Sequence, residues 1–368
     1  MSELASESST QSELARDPSP TPLARAGVVC AGSVVVDVGK VIEAYPPLDH
    51  ITTIEAVTQS TGGPGLNLAV NLRQLGARFP LTMLGAVGAD QHGAFVLAEC
   101  ARLHIDTTGV ATLPGVATSF TDAMVERVGG RRTFFHHVGA NGLFDGDAAA
   151  VETSTARILH VGAPGLHPLM DAPTAEGDNG WSRLLRRARA AGLRTNLELV
   201  SLAPERLREV ALRLLPDLDT IVVNELEAGA LTGIDAPVPD ADGPVDWSAI
   251  AAMAAGLVER GVARLAVVHF PAGSVAAAPD GSVWWQGSVR LPPDRVRSTT
   301  GAGDAFASGV LLGLHEDRPV QECLRLGAAV AAACVQGLNT SDSIGPAEAC
   351  LADAERVGYR AAPAVRSP

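Results

Sequence analysis

A glycine-rich stretch near the C-terminal end of the chain, residues 298–306 (STTGAGDAF), contains the residue types that phosphate chemistry requires. Gly301 and Gly303 allow a tight turn in which consecutive backbone N–H groups, with that of Ala302 between them, point into one concavity. The residues after Asp304 are apolar enough to form a buried helix. The stretch thus predicts an anion cradle at the positive end of a helix, beside an aspartate that could take a proton from an alcohol.

The same residues also fit a purely structural role. Glycine-rich turns that end in aspartate are common at helix N-termini, where Asp304 would only satisfy the first N–H groups of its own helix. Taken alone, the stretch leaves both interpretations open, and the choice depends on the rest of the chain.

A second glycine-rich turn occurs at residues 61–67 (TGGPGLN), followed by leucines at helical spacing and a glycine at position 76 that predicts the helix end. The glycines leave room for the backbone to approach a small polar ligand, and the Asn67 amide can both donate and accept a hydrogen bond. An ordinary turn and N-cap is the alternative. The stretch is not a dinucleotide fingerprint, because Leu68 stands where the last glycine would be.

A third candidate, residues 224–227 (NELE), falls where a predicted strand ends and a helix starts. Asn224 and Glu227 could hold hydrated Mg²⁺ and phosphate oxygens, because Mg²⁺ usually keeps several waters and needs few protein ligands. The same spacing also fits a capping box without any chemistry.

The elements that must position these motifs are predicted from hydrophobic patterning. A β-branched run over residues 27–37 predicts one central strand buried on both faces. Asp37 would then stand at its far end, as a candidate ligand or as a solvated strand end. Alternating residues at 119–125 and 132–137 predict a hairpin around the glycines at 129–130.

The second half of the chain alternates predicted strands and helices. The strands are expected at residues 157–161, 194–199, 220–224 and 264–269, with a late hairpin near 275–285, and the helices at 181–191, 205–215, 225–231 and 248–260. This rhythm predicts an α/β fold with a doubly wound, mainly parallel sheet.

Composition bounds the class of protein. The chain has 368 residues, of which 46% are hydrophobic, enough to bury a large core. Its net charge of −13 argues against nucleic acid or an anionic membrane as a partner. It contains no apolar run that could span a bilayer and no signal peptide at its start, so we expect a cytoplasmic protein with a disordered tail over residues 1–26 and a C-terminal tail over residues 357–368 that is frayed from residue 361. The five scattered cysteines are expected to be reduced and buried.

The scarcity of lysine excludes the common lysine-based schemes for binding nucleotide phosphates. Lys40 is the only lysine of the chain, and its Gly-Lys pair lacks both the following Ser or Thr and the upstream glycine of a P-loop. A His-Arg-Asp loop of the protein-kinase type is also missing from the sequence.

Over nearly its whole length, from about residue 27 to 355, the chain resembles the ribokinase-like (PfkB) family of carbohydrate kinases. Three stretches are similar to that family's motifs and occur in its order: residues 62–67, residues 224–227 and residues 299–306. The resemblance implies ATP-dependent transfer of the γ-phosphate to a sugar hydroxyl. It also implies a kinase domain over residues 27–356, a small β-lid formed by segments near 38–60 and 118–138, and a homodimer that pairs through the lids.

The resemblance assigns a role to each motif residue of the phosphoryl-transfer centre. Asp304 matches the catalytic base that deprotonates the sugar hydroxyl. The residues that match the anion hole are Gly301, Ala302 and Gly303. Asn224 and Glu227 match residues that organise Mg²⁺ and the triphosphate, with Glu227 reaching the metal through water.

Substrate contacts follow from the same resemblance, with some departures. The positions that grip sugar hydroxyls are Asp37, Gly63 and Asn67. Of a Thr-x-Gly-x-x-Gly motif beside the nucleotide only Gly273 remains, which predicts a reshaped adenine site. Ser298 replaces the family's usual Asp, a ligand of an activating monovalent cation, so K⁺ dependence stays open.

Two rival functions are kept. A nucleoside kinase of the same fold would need a lid that admits a base beside the sugar. A non-catalytic ligand-binding protein on this scaffold would be expected to lose the base or the anion hole, whereas this chain keeps Asp304 and its glycines.

Overall fold

A computed structural model of the protein describes residues 25–128, 131–175, 177–236 and 243–363. Most of the predicted N-terminal tail, the predicted hairpin turn at 129–130 and the last five residues lie outside these ranges. Among the described helices, none has the length and apolar character needed to cross a membrane.

The described residues form thirteen strands. In chain order these are β1 (Val28–Gly32), β2 (Val35–Ile42), β3 (Ile54–Gly62), β4 (Leu81–Gly88), β5 (Asp106–Leu113), β6 (Phe120–Glu126), β7 (Arg132–His137), β8 (Ile158–Gly162), β9 (Arg194–Glu198), β10 (Thr220–Asn224), β11 (Leu265–Phe270), β12 (Gly273–Ala277) and β13 (Val283–Gly287).

The same residues form ten α-helices, together with short 3₁₀ turns. The helices are α1 (Pro64–Gln74), α2 (Gln91–Arg102), α3 (Pro168–Asp171), α4 (Gly180–Ala190), α5 (Pro204–Ala211), α6 (Glu225–Thr232), α7 (Trp247–Glu259), α8 (Ala302–His315), α9 (Val320–Cys334) and α10 (Ala347–Val357). Those predicted in the second half are present, although the helix expected to reach residue 215 ends at Ala211 and continues as a 3₁₀ turn.

Nine of the described strands form one sheet in the order β13-β12-β11-β10-β9-β8-β1-β4-β5. The seven consecutive strands from β11 to β5 in this order run parallel to one another. The other two strands, β12 and β13, form an antiparallel edge next to β11. The predicted fold class, a doubly wound and mainly parallel sheet, is therefore confirmed.

Successive residues of the central strands pack into two separate cores. Val29 and Ala31 of β1 face one core, with residues of α4, α5, α6 and α7. Val28 and Cys30 face the other, with residues of α1, α2, α8, α9 and α10. All five cysteines are buried and free of disulfides, as the sequence predicted. The two helical layers leave the carboxyl ends of the parallel strands as the edge where ligands can bind.

The run over residues 27–37 is not one strand, so the predicted position of Asp37 at the end of a central strand is wrong. The strand β1 ends at Gly32, whose φ of 116° suits glycine, and the chain then enters a second sheet as β2. A Cβ atom at position 32 would lie 2.2 Å from the carbonyl oxygen of Gly162. Position 32 therefore requires glycine at the point where the chain leaves the large sheet.

The second sheet, called the small sheet below, has the order β3-β2-β6-β7. Its strands β6 and β7 form the predicted antiparallel pair. The small sheet spans residues 35–62 and 120–137, which overlap both segments predicted for a β-lid. It lies over the carboxyl edge of the large sheet, because side chains of both sheets line one cavity.

Candidate active site

Two adjoining cavities lie at the carboxyl edge of the large sheet. The larger has a volume of about 560 Å³, and the smaller about 440 Å³. The predicted site residues in the larger cavity are Asp37, Gly63, Asn67, Asn224, Glu227, Gly301, Gly303 and Asp304. Those in the smaller cavity are Asn224, Gly273, Ala302 and Gly303. The structure thus brings all ten predicted residues together, from parts of the chain as distant as β2 and α8.

The glycine-rich stretch at 298–306 forms the entry to α8. Gly301 is the N-cap residue, with a left-handed φ of 80°, and Asp304 is the third helical residue. A Cβ atom at position 301 would lie 2.8 Å from the Cβ of Thr340, so the turn requires glycine there. Asp304 is therefore not the N-cap itself, and its carboxyl group lines the larger cavity at the positive end of the helix.

Asn67 connects the second glycine-rich turn to this helix. Its Nδ2 donates a hydrogen bond to Asp304 Oδ2 at 2.6 Å. The turn holds Asn67 in place because Gly63, with φ 85°, is the N-cap of α1 and lies against the carbonyl oxygen of Ser33. Asn67 is thereby buried with its amide group in the cavity wall.

Glu198, at the carboxyl end of β9, is a site residue that the sequence analysis missed. It lines the larger cavity, is 3% exposed, and its carboxyl group is hydrogen-bonded to that of Asp304. Burial, and then the charge of Asp304, raise the pKa of Glu198 well above its ordinary value. The rule that places ligands at the carboxyl ends of parallel strands, applied to the predicted strand 194–199, could have found it.

Of these two carboxyl groups, that of Glu198 has the more strongly raised pKa. Burial raises the pKa of Asp304 as well, but the hydrogen bonds from Asn67 and Glu198 oppose that rise. These directions favour a protonated Glu198 that donates to an ionised Asp304.

Asp37 projects into the larger cavity from the small sheet. Its pKa is raised to about 7, first by burial and then by the charge of Asp304, while a hydrogen bond from Thr121 opposes the rise. A Cβ atom at position 62 would lie 2.3 Å from its Oδ2, so Gly62 makes the space for this carboxyl group. Asp37 can thus change its protonation state near neutral pH.

Asn224 and Glu227 form the capping box that the sequence analysis kept as an alternative. The Glu227 N–H donates to Asn224 Oδ1 at 2.8 Å, and the Asn224 N–H donates to Glu227 Oε2 at 3.1 Å. Burial raises the pKa of Glu227 to about 7, with further contributions from Glu225 and Asp304. The arrangement does not exclude a binding role, since both side chains also line the larger cavity.

The cavity residues fit Mg²⁺ that arrives with its own oxygen ligands. Among the described residues, no group of three or more His, Cys, Asp or Glu side chains is placed to hold a metal ion by itself. Burial raises the pKa values of Asp37, Glu198 and Glu227, and the charge of Asp304 raises each of them further. A hydrated cation shared with phosphate oxygens would offset that charge.

The entrance of the 298–306 stretch is contacted by a second residue that the sequence analysis missed. Arg132, at the start of β7, donates through Nη1 to Ser298 Oγ at 2.7 Å and to Thr300 Oγ1. A guanidinium is always charged, so a positive charge already lies at this loop. These residues do not fit a monovalent cation site, because both hydroxyl groups already accept hydrogen bonds from the cationic Arg132 and position 298 carries no carboxylate.

A doubly wound sheet with a small second sheet, and a carboxylate at a helix N-terminus beside the junction of two cavities, fits a phosphotransferase that acts on alcohols. Residues 25–346 match the model of the pfkB family of carbohydrate kinases. The chain belongs to this family, and it is a kinase that phosphorylates the hydroxyl group of a sugar or nucleoside.

Known relatives cover most of the chain at modest identity. It is 25% identical to ketohexokinase from Mus musculus over 306 residues, covering 83% of this chain and 94% of that one. It is 26% identical to ribokinase from Arabidopsis thaliana over 321 residues, covering 84% and 76%. The structure of Arabidopsis thaliana ribokinase with ribose and ATP superposes with a TM-score of 0.72 at 23% identity, covering 90% of this chain and 99% of that one. At that identity, the superposition supports the fold alone.

Proposed function

We propose that this protein is an ATP-dependent carbohydrate kinase that transfers the γ-phosphate to a sugar hydroxyl group, with Asp304 as the general base. The observation that carries the proposal is the position of the Asp304 carboxylate. It lies at the N-terminal end of α8, in the cavity wall beside Gly303, where the two cavities meet. A sugar in the larger cavity and ATP in the smaller one would bring the hydroxyl and the γ-phosphate together at this point.

The described residues suggest how the transfer proceeds. The hydroxyl oxygen forms a bond to the γ-phosphorus while the bond from that phosphorus to the β–γ bridging oxygen breaks, and ADP leaves. Asp304 takes the hydroxyl proton, a step that contributes roughly 10²- to 10⁴-fold to the rate. The N–H groups of Gly301, Ala302 and Gly303 would stabilise the charge on the transferred phosphoryl group.

The remaining predicted residues would position the two substrates. Asp37, Gly63 and Asn67 line the cavity wall where sugar hydroxyl groups would be held. Asn224 and Glu227 would hold Mg²⁺ through its water ligands. Bound there, the ion would neutralise charge on the triphosphate.

A nucleoside kinase is the second candidate, and the apolar lining of the larger cavity favours it. Beside its polar residues, the cavity has an apolar wall. This wall consists of Phe134, Leu166, Leu199, Val200 and Leu202. An aromatic base could pack there while the sugar hydroxyl groups face Asp37 and Asp304. Adenosine kinase 1 from Arabidopsis thaliana is 31% identical over a 123-residue segment, 33% of this chain and 35% of that one.

The small sheet is proposed as a lid that also joins two subunits. Val57 and Phe135 lie on its face away from Asp37 and are 63% and 57% exposed. A second copy of the sheet would cover these two side chains, which flank the Lys40–Asp122 ion pair on the same face. Light scattering during size-exclusion chromatography should show a dimer that Val57→Asp converts to a monomer. A monomeric wild-type protein would contradict the dimer.

A coupled ADP-release assay over ribose, fructose, 2-keto-3-deoxygluconate, adenosine and inosine tests the function. We expect turnover with one sugar or nucleoside, and loss of most of it in Asp304→Asn, with ATP binding and folding nearly unchanged. Turnover confined to nucleosides would select the second candidate. Near wild-type turnover of Asp304→Asn would refute the general base, and ligand binding without turnover would point to the non-catalytic alternative.

A further inference from the structure

His269 of β11 lies at the junction of the two cavities. Within the described residues, the side chains or backbone of Asn224, His269 and Gly303 line both cavities, and no other described residue does so. The strand register places His269 opposite Asn224 on β10. Any group that passes from a ligand in one cavity to a ligand in the other must pass these three residues.

The imidazole ring of His269 is packed against the anion cradle. A Cβ atom at position 303 would lie 3.3 Å from its Cε1 and 3.6 Å from its Nε2, so the ring edge faces the backbone of Gly303. On its other side the ring contacts Phe306 of α8, with centroids 5.1 Å apart and an interplanar angle of 39°. These two contacts fix the ring beside the N–H groups that would hold a phosphate.

Neither ring nitrogen of His269 has a hydrogen-bond partner among the described residues, whereas other buried histidines have at least one bonded nitrogen. His160 Nδ1 bonds to Asn196, and His315 Nε2 accepts from the Gly27 N–H. The ring of His269 therefore has no evident internal polar role, although it reaches the surface of both cavities. Burial lowers the pKa of His269 to about 4, so the free ring is neutral and carries one N–H donor.

We propose that His269 is a phosphate-contacting residue that donates its imidazole N–H to the terminal phosphate of ATP. The proposal rests on the proposed function, since it takes the junction as the place of the γ-phosphate. Hydrogen bonds to an ionised acceptor are stronger than neutral ones, and the terminal phosphate carries the charge that is missing from ADP at this position. The imidazole thus discriminates the triphosphate from the diphosphate.

The test is isothermal calorimetry in Mg²⁺ buffer without an acceptor, using a non-hydrolysable ATP analogue and ADP as separate probes. His269→Leu removes the donor, His269→Gln keeps one, and His50→Leu, in an exposed loop, is the matched control. Loss of a hydrogen bond to a charged group weakens binding by about tenfold or more. We expect His269→Leu to weaken binding of the ATP analogue by that factor and to change binding of ADP by less than about twofold. His269→Gln should bind the analogue with most of the wild-type affinity.

The outcomes separate this proposal from the proposed function. Equal weakening of both nucleotides by His269→Leu, or no weakening of either, would overturn the role of His269 while leaving the kinase assignment intact. A His269→Gln variant that binds the analogue as poorly as His269→Leu would likewise overturn the role of His269 and leave the kinase assignment intact. Failure of the wild-type protein to bind either nucleotide would instead overturn the kinase assignment, and the role of His269 with it. Melting temperatures of the variants would identify any loss caused by unfolding.

Discussion

Asn67 Nδ2 donates a hydrogen bond to Asp304 Oδ2 at 2.6 Å across 237 positions of sequence. This single contact joins the two glycine-rich motifs, because Asn67 belongs to the first turn of α1 and Asp304 to the first turn of α8. A hydrogen bond to the ionised form lowers the pKa of the carboxyl group that accepts it, and here it opposes the effect of burial. The contact therefore favours the ionised form of the proposed base.

Replacing Asn67 by Leu should raise the pKa of Asp304, because the stabilising donor is lost while burial remains. The carboxylate is the active form of a base, so the acid limb of the pH profile of kcat/KM should move to higher pH. At neutral pH we expect a loss of about 10- to 100-fold in kcat/KM, partly recovered as the pH rises. Steady-state kinetics across the pH range measure this shift.

Asn71→Leu is the matched control for this change. Asn71 lies one turn further along the same helix, and within the described residues neither of its amide atoms has a hydrogen-bond partner. Its replacement should leave the acid limb in place. An unchanged acid limb in Asn67→Leu would show that the hydrogen bond does not control the ionisation of Asp304.

The motifs and the alternation of strands and helices were predictable because they depend on local patterning. Residues 224–227 illustrate this, since a strand end followed by an Asn-x-x-Glu spacing specifies both the capping box and its place at the sheet edge. Whether such a residue only caps the helix or also binds a ligand is not specified by the spacing. Local pattern cannot distinguish a capping residue from a ligand, and Asn224 occupies both the cap and the cavity wall.

The rest of the site depends on contacts between distant elements. Arg132 is one arginine among many in the sequence, and only the packing of β7 over the loop at 298–300 reveals its contact with Ser298. The split of the run 27–37 depends on the approach of Gly32 to Gly162, which are 130 positions apart in the sequence. The edge strand β5 was also not predicted. Such features follow from tertiary packing, which a pattern in one segment does not specify.

Glu198→Gln should stabilise the protein at alkaline pH. A carboxyl group whose pKa is raised in the folded state stays protonated there, whereas it ionises in the unfolded chain above its ordinary pKa of about 4.3. Stability conferred by the protonated form is therefore lost as the pH rises from that value. Glutamine is neutral at every pH and can still donate a hydrogen bond to Asp304.

We expect the melting temperature of Glu198→Gln to exceed that of the wild type by a few degrees at pH 8, and the difference to shrink toward pH 4. Thermal unfolding at several pH values measures this difference. Glu205→Gln is the control, because the Glu205 side chain is 78% exposed and should show no such trend. A Glu198→Gln protein less stable than the wild type at pH 8 would contradict the buried neutral acid.

The contact of Arg132 with Ser298 and Thr300 predicts activity that does not depend on K⁺. The guanidinium supplies a permanent positive charge at this loop and ties the small sheet to it. Turnover in KCl and in tetramethylammonium chloride should agree within about twofold, since the guanidinium already supplies the positive charge that K⁺ would bring to this loop. Stimulation of the wild type by K⁺ of tenfold or more would refute this inference.

Arg132→Ala should lower kcat by about tenfold, because both hydrogen bonds to the loop disappear. Arg132→Lys should recover part of this loss, since both hydrogen bonds come from the single nitrogen Nη1 and an ammonium nitrogen also carries several N–H donors. A double-mutant cycle with Ser298→Ala measures the coupling between the two residues. Additive effects would show that the contact contributes nothing to turnover.

The raised pKa of Asp37 predicts that binding of the sugar or nucleoside that accepts the phosphoryl group depends on pH. Its pKa of about 7, against about 3.9 for an ordinary aspartate, means that it loses its proton across the neutral range. The carboxylate accepts stronger hydrogen bonds from the hydroxyl groups of the sugar or nucleoside than the protonated acid does, so the KM for that substrate should fall as the pH rises from 6 to 8. In Asp37→Asn the KM should be raised by about tenfold and be constant over this range.

Thr121→Val tests the same ionisation of Asp37 by a second change, made at a neighbouring residue. The Thr121 hydroxyl donates to the ionised form of Asp37 and lowers its pKa, so removing it should move the midpoint of the KM profile to higher pH without abolishing the profile. The kcat profile depends on Asp304 and should keep its acid limb in both variants. A KM for the acceptor that is flat from pH 6 to 8 in the wild-type enzyme would refute the contact between Asp37 and the acceptor hydroxyl groups.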